Sequence, residues 1–157
     1  MFEFSAVVSW ARNGAYFPDN TYSRVHTWTF DGGTEVPASP SPHFVPAPMS
    51  EEAAVDPEEA FVASLSSCHM LFFLSIAAKR GFIVDSYKDD AIGIMDKAED
   101  GKLAITRVTL RPTVHYGGDT RPTENQAGTM HHEAHGECFV ARSVKTEILC
   151  EPVFTTD

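Results

Sequence analysis

The chain has 157 residues, a formal net charge of −10, and an ordinary globular composition of 43% hydrophobic and 22% charged residues. That length predicts one domain over residues 1–157, large enough to bury a core without disulfide staples. The 12 Lys and Arg are dispersed, which excludes nucleic acid and anionic membrane surfaces as partners, since both need a basic patch.

Residues 1–4 carry no basic stretch leading into an apolar run, so no signal peptide is read. Residues 4–10 alternate, with Phe4, Ala6, Val8 and Trp10 on one side, and predict a half-buried strand. Residues 22–30 alternate too, with Tyr22, Arg24, His26, Trp28 and Phe30 on one face, so Arg24 and His26 are expected to point where the aromatics point. Residues 36–48 hold five prolines and predict an irregular loop.

Residues 56–80 predict the clearest helix. Asp56 suits the N-cap, Pro57 the first turn and Glu59 a capping box, while Lys79, Arg80 and Gly81 suit the C-terminus. The helix is apolar nearly all round, which predicts a central, buried position. Its longest uncharged stretch, residues 61–78, contains four serines and His69, too polar a run for a membrane span, and a cytoplasmic location is expected. One sheet would struggle to cover such a helix on every side, so a homodimer is expected.

Strands are then predicted over residues 82–87, 91–96 and 103–115, with Gly101 turning between the last two. A second helix opens at the capping pattern Thr123–Gln126 and is expected to run to about Arg142, with a final strand over residues 144–153. The order β-β-helix-β-β-β-helix-β gives an α+β class, two helices set against antiparallel sheet.

Three cysteines are too few for a secreted scaffold, and in a reducing compartment a pair is catalytic, redox-sensing or metal-binding before it is structural. Cys68 lies mid-helix behind Ser64, Ser66 and Ser67, which leave room for something to approach, and Cys138 follows the second capping pattern. A thiol among apolar residues is a poor nucleophile unless a cation is brought to it. Arg24 is the candidate cation. Glu58 stands ten residues before Cys68, nearly three helical turns, so a shared face is expected, and it could hold Arg24 in a bidentate fork.

A competing reading takes His131, His135 and Cys138, spaced i, i+4, i+7, with Cys68, as a zinc set. No finger-like spacing accompanies it, and His132 occupies the place where a metalloprotease motif needs glutamate. Cys150 reads as a core residue of the last strand.

The run Asp56-Pro57-Glu58-Glu59-Ala60-Phe61, continuing to Ser66-Ser67-Cys68-His69-Met70, resembles the central-helix motif of the OsmC/Ohr family. These are the osmotically inducible protein C and organic hydroperoxide resistance proteins. Ala134-His135-Gly136-Glu137-Cys138, followed by Ala141-Arg142-Ser143-Val144, resembles that family's second-cysteine segment, and the likeness covers nearly the whole chain. It implies an OsmC-like fold, antiparallel sheets wrapped around two central helices in an intertwined homodimer with its sites at the subunit interface. It also implies a thiol peroxidase that reduces organic hydroperoxides, with Cys68 peroxidatic, Cys138 resolving, Glu58 on the family's Pro-Glu motif, and an arginine from the N-terminal strands, Arg24 or else Arg12. No bound cofactor is implied; an external dithiol reductant, such as a lipoyl-type one, would restore the thiols. Phe139 departs from the proline many members carry after the second cysteine, and the segment around Arg24 resembles a less characterised OsmC-like branch. The alternative is a non-catalytic module of the same fold that senses oxidation or binds a small apolar ligand.

Overall fold

The computed structural model describes residues 1–154 and divides into two compact units, one up to Ala60 and one from Phe61 onward. In the first, β1 (Ala6–Ser9), β2 (His26–Phe30) and β3 (Glu35–Ala38) form an antiparallel sheet in the order β1-β2-β3. Gly33, at φ +83°, makes the β2–β3 turn, a conformation that costs glycine nothing. β3 occupies the start of the stretch expected to be loop. Pro37 is tolerated there because β3 is an edge strand and asks for no donor on its outer side. β2 begins at His26, four residues later than expected; the Arg24 amide instead donates to Met49 O at 2.9 Å, taking the chain out of the ladder.

Helix α1 (Pro57–Lys79) matches its expected bounds. Glu59 N donates to Asp56 Oδ1 at 2.7 Å and Asp56 N to Glu59 Oε2 at 3.2 Å, the reciprocal box read from the sequence. Its length and apolar composition would suit a membrane span, contrary to the expectation that the serines forbid one. What the fold buries, however, is a single ridge, Leu65, His69, Phe73 and Ala77, at the four-residue spacing of a core helix. The opposite stripe, Ser64, Ser67, Leu71 and Ser75, is exposed, so the all-round burial expected for α1 is not met within one chain.

From Phe61 onward, β4 (Ile83–Asp89) and β7 (Pro112–Gly117) pair antiparallel, and β5 (Ile92–Lys97), β6 (Leu103–Leu110) and β8 (Glu147–Cys150) form a second sheet. The single strand expected over residues 103–115 breaks at Pro112. Proline has no N–H for the β6 ladder, the Arg111 amide donates to Asp89 Oδ1 at 2.6 Å, and the chain changes sheets. β8 runs parallel to β6, the one parallel pair in an otherwise antiparallel set. β5 passes α1 at Gly93, where a Cβ would fall 2.6 Å from Val62 Cγ2.

Helix α2 (Glu124–Glu137) starts where expected: Gln126 N donates to Thr123 Oγ1 at 3.2 Å and Thr123 N to Gln126 Oε1 at 2.9 Å. Thr123→Ala removes one half of that box and should lower stability by about 1 kcal/mol, read as a shift in the urea midpoint at unchanged slope. The helix ends five residues before Arg142 because Cys138 turns extended (ψ 110°), and a short 3-10 turn (Ala141–Ser143) follows. Phe73 and Ala77 of α1 pack on Ala127, Met130 and Ala134 of α2, with Tyr87, Val114 and Tyr116 of β4 and β7 closing the cluster. A second cluster joins Leu65 to Val108 and Leu110 of β6. The α+β class read from the element order is the class found.

Candidate active site

Two elements bring two thiols together. Cys68 projects from the middle of α1 and is partly exposed; Cys138 caps the end of α2 and is 1% exposed. All three cysteines of the chain are free thiols. The extended turn that ends α2 aims Cys138 Sγ at the Ala141 N–H, 3.4 Å away, and leaves the thiol near enough to Cys68 for the two to influence each other's ionisation. Burial, then the Cys68 contact, push the Cys138 thiol up to about 11, offset in part by the Ala141 and Val140 amides. Cys138 is therefore held as a neutral thiol at neutral pH.

Cys68 opens into a groove of about 500 Å³ lined by Ser64, Ser67, Leu71, Phe72, Ser75 and Phe139. The serines furnish room rather than polarity: Ser64 Oγ donates back to Phe61 O at 2.8 Å, which leaves its methylene outward. Phe139, the departure from proline, stands edge-on to Phe72 with ring centroids 4.9 Å apart and walls one side. The two cysteines are thus unequal. One meets an apolar groove; the other is buried behind it.

The N-terminal unit holds the arginine candidates. The Arg24 guanidinium donates to Tyr22 O at 2.9 Å, to Asn20 O at 3.1 Å and to Asn20 Oδ1 at 2.6 Å, and lies 4.3 Å from the Tyr22 ring centroid. It is not in a strand, so the alternation that aimed it does not apply. The fork with Glu58 is not formed: among the described residues no ion pair joins them, and Asn20 takes the holding role. Nor do Glu58 and Cys68 share one helical face, because ten residues at about 100° each fall roughly 80° short of three turns. Arg12 is exposed and donates to Ala15 O. His26 accepts from Trp28 Nε1 at Nε2 (3.0 Å), so its Nδ1 carries the proton and donates to Arg24 O at 2.8 Å.

The family model described as OsmC-like protein matches residues 50–152. The chain belongs to that family. An OsmC-like protein of unknown function from Vibrio cholerae is 56% identical over 98% of this chain and 100% of its own, with a TM-score of 0.96. An organic hydroperoxide resistance protein from Elizabethkingia anophelis shares the fold at 14% identity (97% and 94% coverage, TM-score 0.70), as does one from Bacillus subtilis at 17% (97% and 98%, TM-score 0.65). No curated protein matches.

The four-residue zinc set is not assembled in this OsmC-like chain. Cys138 stays with Cys68, whereas His131 turns into the core against His69, with Nδ1 3.0 Å from His69 Nε2. His69, His131 and Cys150 form the one group of potential metal ligands found among the described residues. The sequence reading passed over His69 and set Cys150 aside. The available signal was His69 four residues from both Leu65 and Phe73, on the most buried ridge of α1.

Proposed function

We propose that this OsmC-like protein is a thiol-dependent peroxidase that reduces organic hydroperoxides to alcohols. The observation that carries the reading is Cys68 in an apolar groove with the buried Cys138 thiol close enough to interact with it. The Cys68 thiolate attacks the distal oxygen of ROOH. The O–O bond breaks, RO⁻ takes a proton and leaves as the alcohol, and Cys68 becomes a sulfenic acid. Cys138 gives up its proton and bonds to Cys68, and the sulfenic oxygen departs as water. An external dithiol, lipoyl-type or similar, is oxidised as it restores both thiols by exchange. The names of the Elizabethkingia and Bacillus relatives support this substrate class.

Arg24 is assigned to stabilise the Cys68 thiolate and the charge developing on the leaving oxygen, with Glu58 as the acid on the family's Pro-Glu motif. A homodimer is part of the same reading. Leu71 is 61% exposed on α1, and Phe4, Val7 and Val8 are exposed on and beside β1, apolar surface that a second copy would cover.

One equivalent of tert-butyl hydroperoxide should convert the protein to a Cys68–Cys138 disulfide with Cys150 still free, seen by peptide mapping under non-reducing conditions. A bridge containing Cys150, or a Cys68 that stays reduced, would overturn the mechanism. Steady-state consumption of tert-butyl, fatty-acid and hydrogen peroxides with a dithiol donor separates this reading from a non-catalytic apolar-ligand module, which would consume none. The groove's apolar walls predict hydrogen peroxide as the poorest of the three.

A further inference from the structure

We propose that His69, His131 and Cys150 form a buried binding site for a divalent ion of the zinc class, separate from the peroxide site. Three elements each give one ligand: His69 from α1, His131 from α2 and Cys150 from β8. Their donor atoms lie within 4.8 Å of one another. His69 Nε2 is 3.0 Å from His131 Nδ1 and 3.7 Å from Cys150 Sγ. Around a tetrahedral zinc, with N at about 2.0–2.1 Å and S at about 2.3 Å, two nitrogens stand roughly 3.3 Å apart and a nitrogen and sulfur roughly 3.6 Å. The two edges from His69 need shifts of only a few tenths of an ångström, while the third, His131 to Cys150, lies within 4.8 Å and closes by up to about 1.2 Å through side-chain rotation as the ion binds.

The surroundings suit the ion. His69 and His131 are 1% and 3% exposed. Burial first, then His135 for His69 and His69 for His131, lower their pKa values to about 4 and about 3, which keeps both imidazoles neutral and able to ligate at pH 7. The rings are fixed by stacking: His131 lies 4.1 Å from Phe73 and 5.3 Å from His69 between centroids, at 18° and 5°. Burial first, then Asp89 and Glu151, push the Cys150 thiol up to about 12, so the ion itself must displace that proton; Asp89 is held by Ser66 Oγ and the Arg111 amide. Its charge would balance the single positive charge left by a divalent ion on two neutral imidazoles and one thiolate.

The three-ligand count leaves a fourth position open, and His131 also borders a cavity of about 150 Å³ with Tyr116, Val114 and Ala127. That cavity offers room for a water beside His131. The Tyr87 hydroxyl is buried with no hydrogen-bond partner, and its ring lies 6.4 Å from that of His131 between centroids. His69 Nδ1 is also buried without a partner, and binding through Nε2 would fix its proton there. Binding is a proton-for-metal exchange: the Cys150 S–H bond breaks, the metal–sulfur bond forms, and the proton passes to solvent with no change of oxidation state.

The test uses the full chain carrying Cys68→Ser and Cys138→Ser, so that Cys150 is the one thiol left. Cobalt(II) should add one equivalent with a thiolate charge-transfer band in the near ultraviolet, and zinc should displace it. Cys150→Ser on that background should abolish the band, and His131→Gln should weaken binding at least tenfold. Because these substitutions fall in the core, a second measurement uses the unsubstituted protein. Zinc should slow alkylation of Cys150 by a small maleimide at least tenfold, as mapped by peptide, and a chelator should restore it. Sub-stoichiometric binding, a band that survives Cys150→Ser, or alkylation of Cys150 indifferent to zinc would each overturn the site.

Discussion

Cys68→Ser should abolish peroxide turnover, whereas Cys138→Ser should permit one fast reaction per chain, followed by over-oxidation instead of turnover. The two thiols differ in what they face. Cys68 is the sulfur the groove reaches; Cys138 is 1% exposed and held protonated by its burial, so it meets a peroxide poorly and a neighbouring sulfenic acid well. Enzymes accelerate their reactions by at least about 10⁶-fold, so losing the nucleophile should return the rate to background. Without Cys138 the first oxygen transfer is untouched, but the sulfenic acid has no thiol to condense with. Further peroxide then carries it to the sulfinic acid. Stopped-flow peroxide consumption followed by intact mass gives the readout: no mass change for Cys68→Ser, and gains of one oxygen and then two for Cys138→Ser. Equal residual activity in the two variants would dissolve the distinction between attacking and resolving thiol.

Local chemistry was legible and long-range chemistry was not. Both capping boxes, Asp56–Glu59 and Thr123–Gln126, are written within four residues and form as read, so the starts of α1 and α2 follow from the sequence. The end of α2 was overshot because Cys138 turns extended while its amide still bonds back to Ala134 O and His135 O, and its thiol takes the Ala141 N–H, which a capping pattern does not encode. The same holds in the sheets. Pro112 was a visible breaker inside a strong strand pattern, but that it moves the chain from the β5–β6–β8 sheet to β4 depends on Asp89, 22 residues away.

The two cysteine motifs were enough to read the family, since their pattern is contiguous. His69 and Cys150 are 81 residues apart and belong to no motif, so nothing short of the packed core brings them together. Arg24 is the instructive case. Alternation is a property of strands, and residues 22–25 are held by the Met49 carbonyl and by their own turn rather than by a ladder. The reason given for its direction was not the operating one.

Arg24→Ala should slow peroxide reduction on the order of 10²-fold, the usual loss when one donor to a developing oxyanion is removed. The guanidinium is half-buried, fixed by Asn20 and Tyr22, and faces no carboxylate partner among the described residues. It is a positioned cation whose charge no acid among the described residues neutralises, the kind of group a thiolate requires. Arg24→Lys should rescue poorly, because one ammonium cannot reproduce the planar set of donors that Asn20 O, Asn20 Oδ1 and Tyr22 O receive. The structure adds a variant that the sequence did not suggest. Asn20 sits at φ +60°, where glycine is at ease and alanine is not. Asn20→Gly therefore removes the Oδ1 acceptor without straining the turn, and should cost several-fold, less than Arg24→Ala, since the charge survives and only its position loosens. Glu58→Ala, lacking an ion pair to break within the chain, should cost no more than Asn20→Gly. The measurement is the rate of Cys68 alkylation and of peroxide reduction across pH in each variant. If Arg24→Ala alkylates at Cys68 with the unsubstituted protein's pH profile, Arg24 is not the cation; Arg12→Ala then becomes the decisive variant, and the nucleophilic role of Cys68 is unaffected.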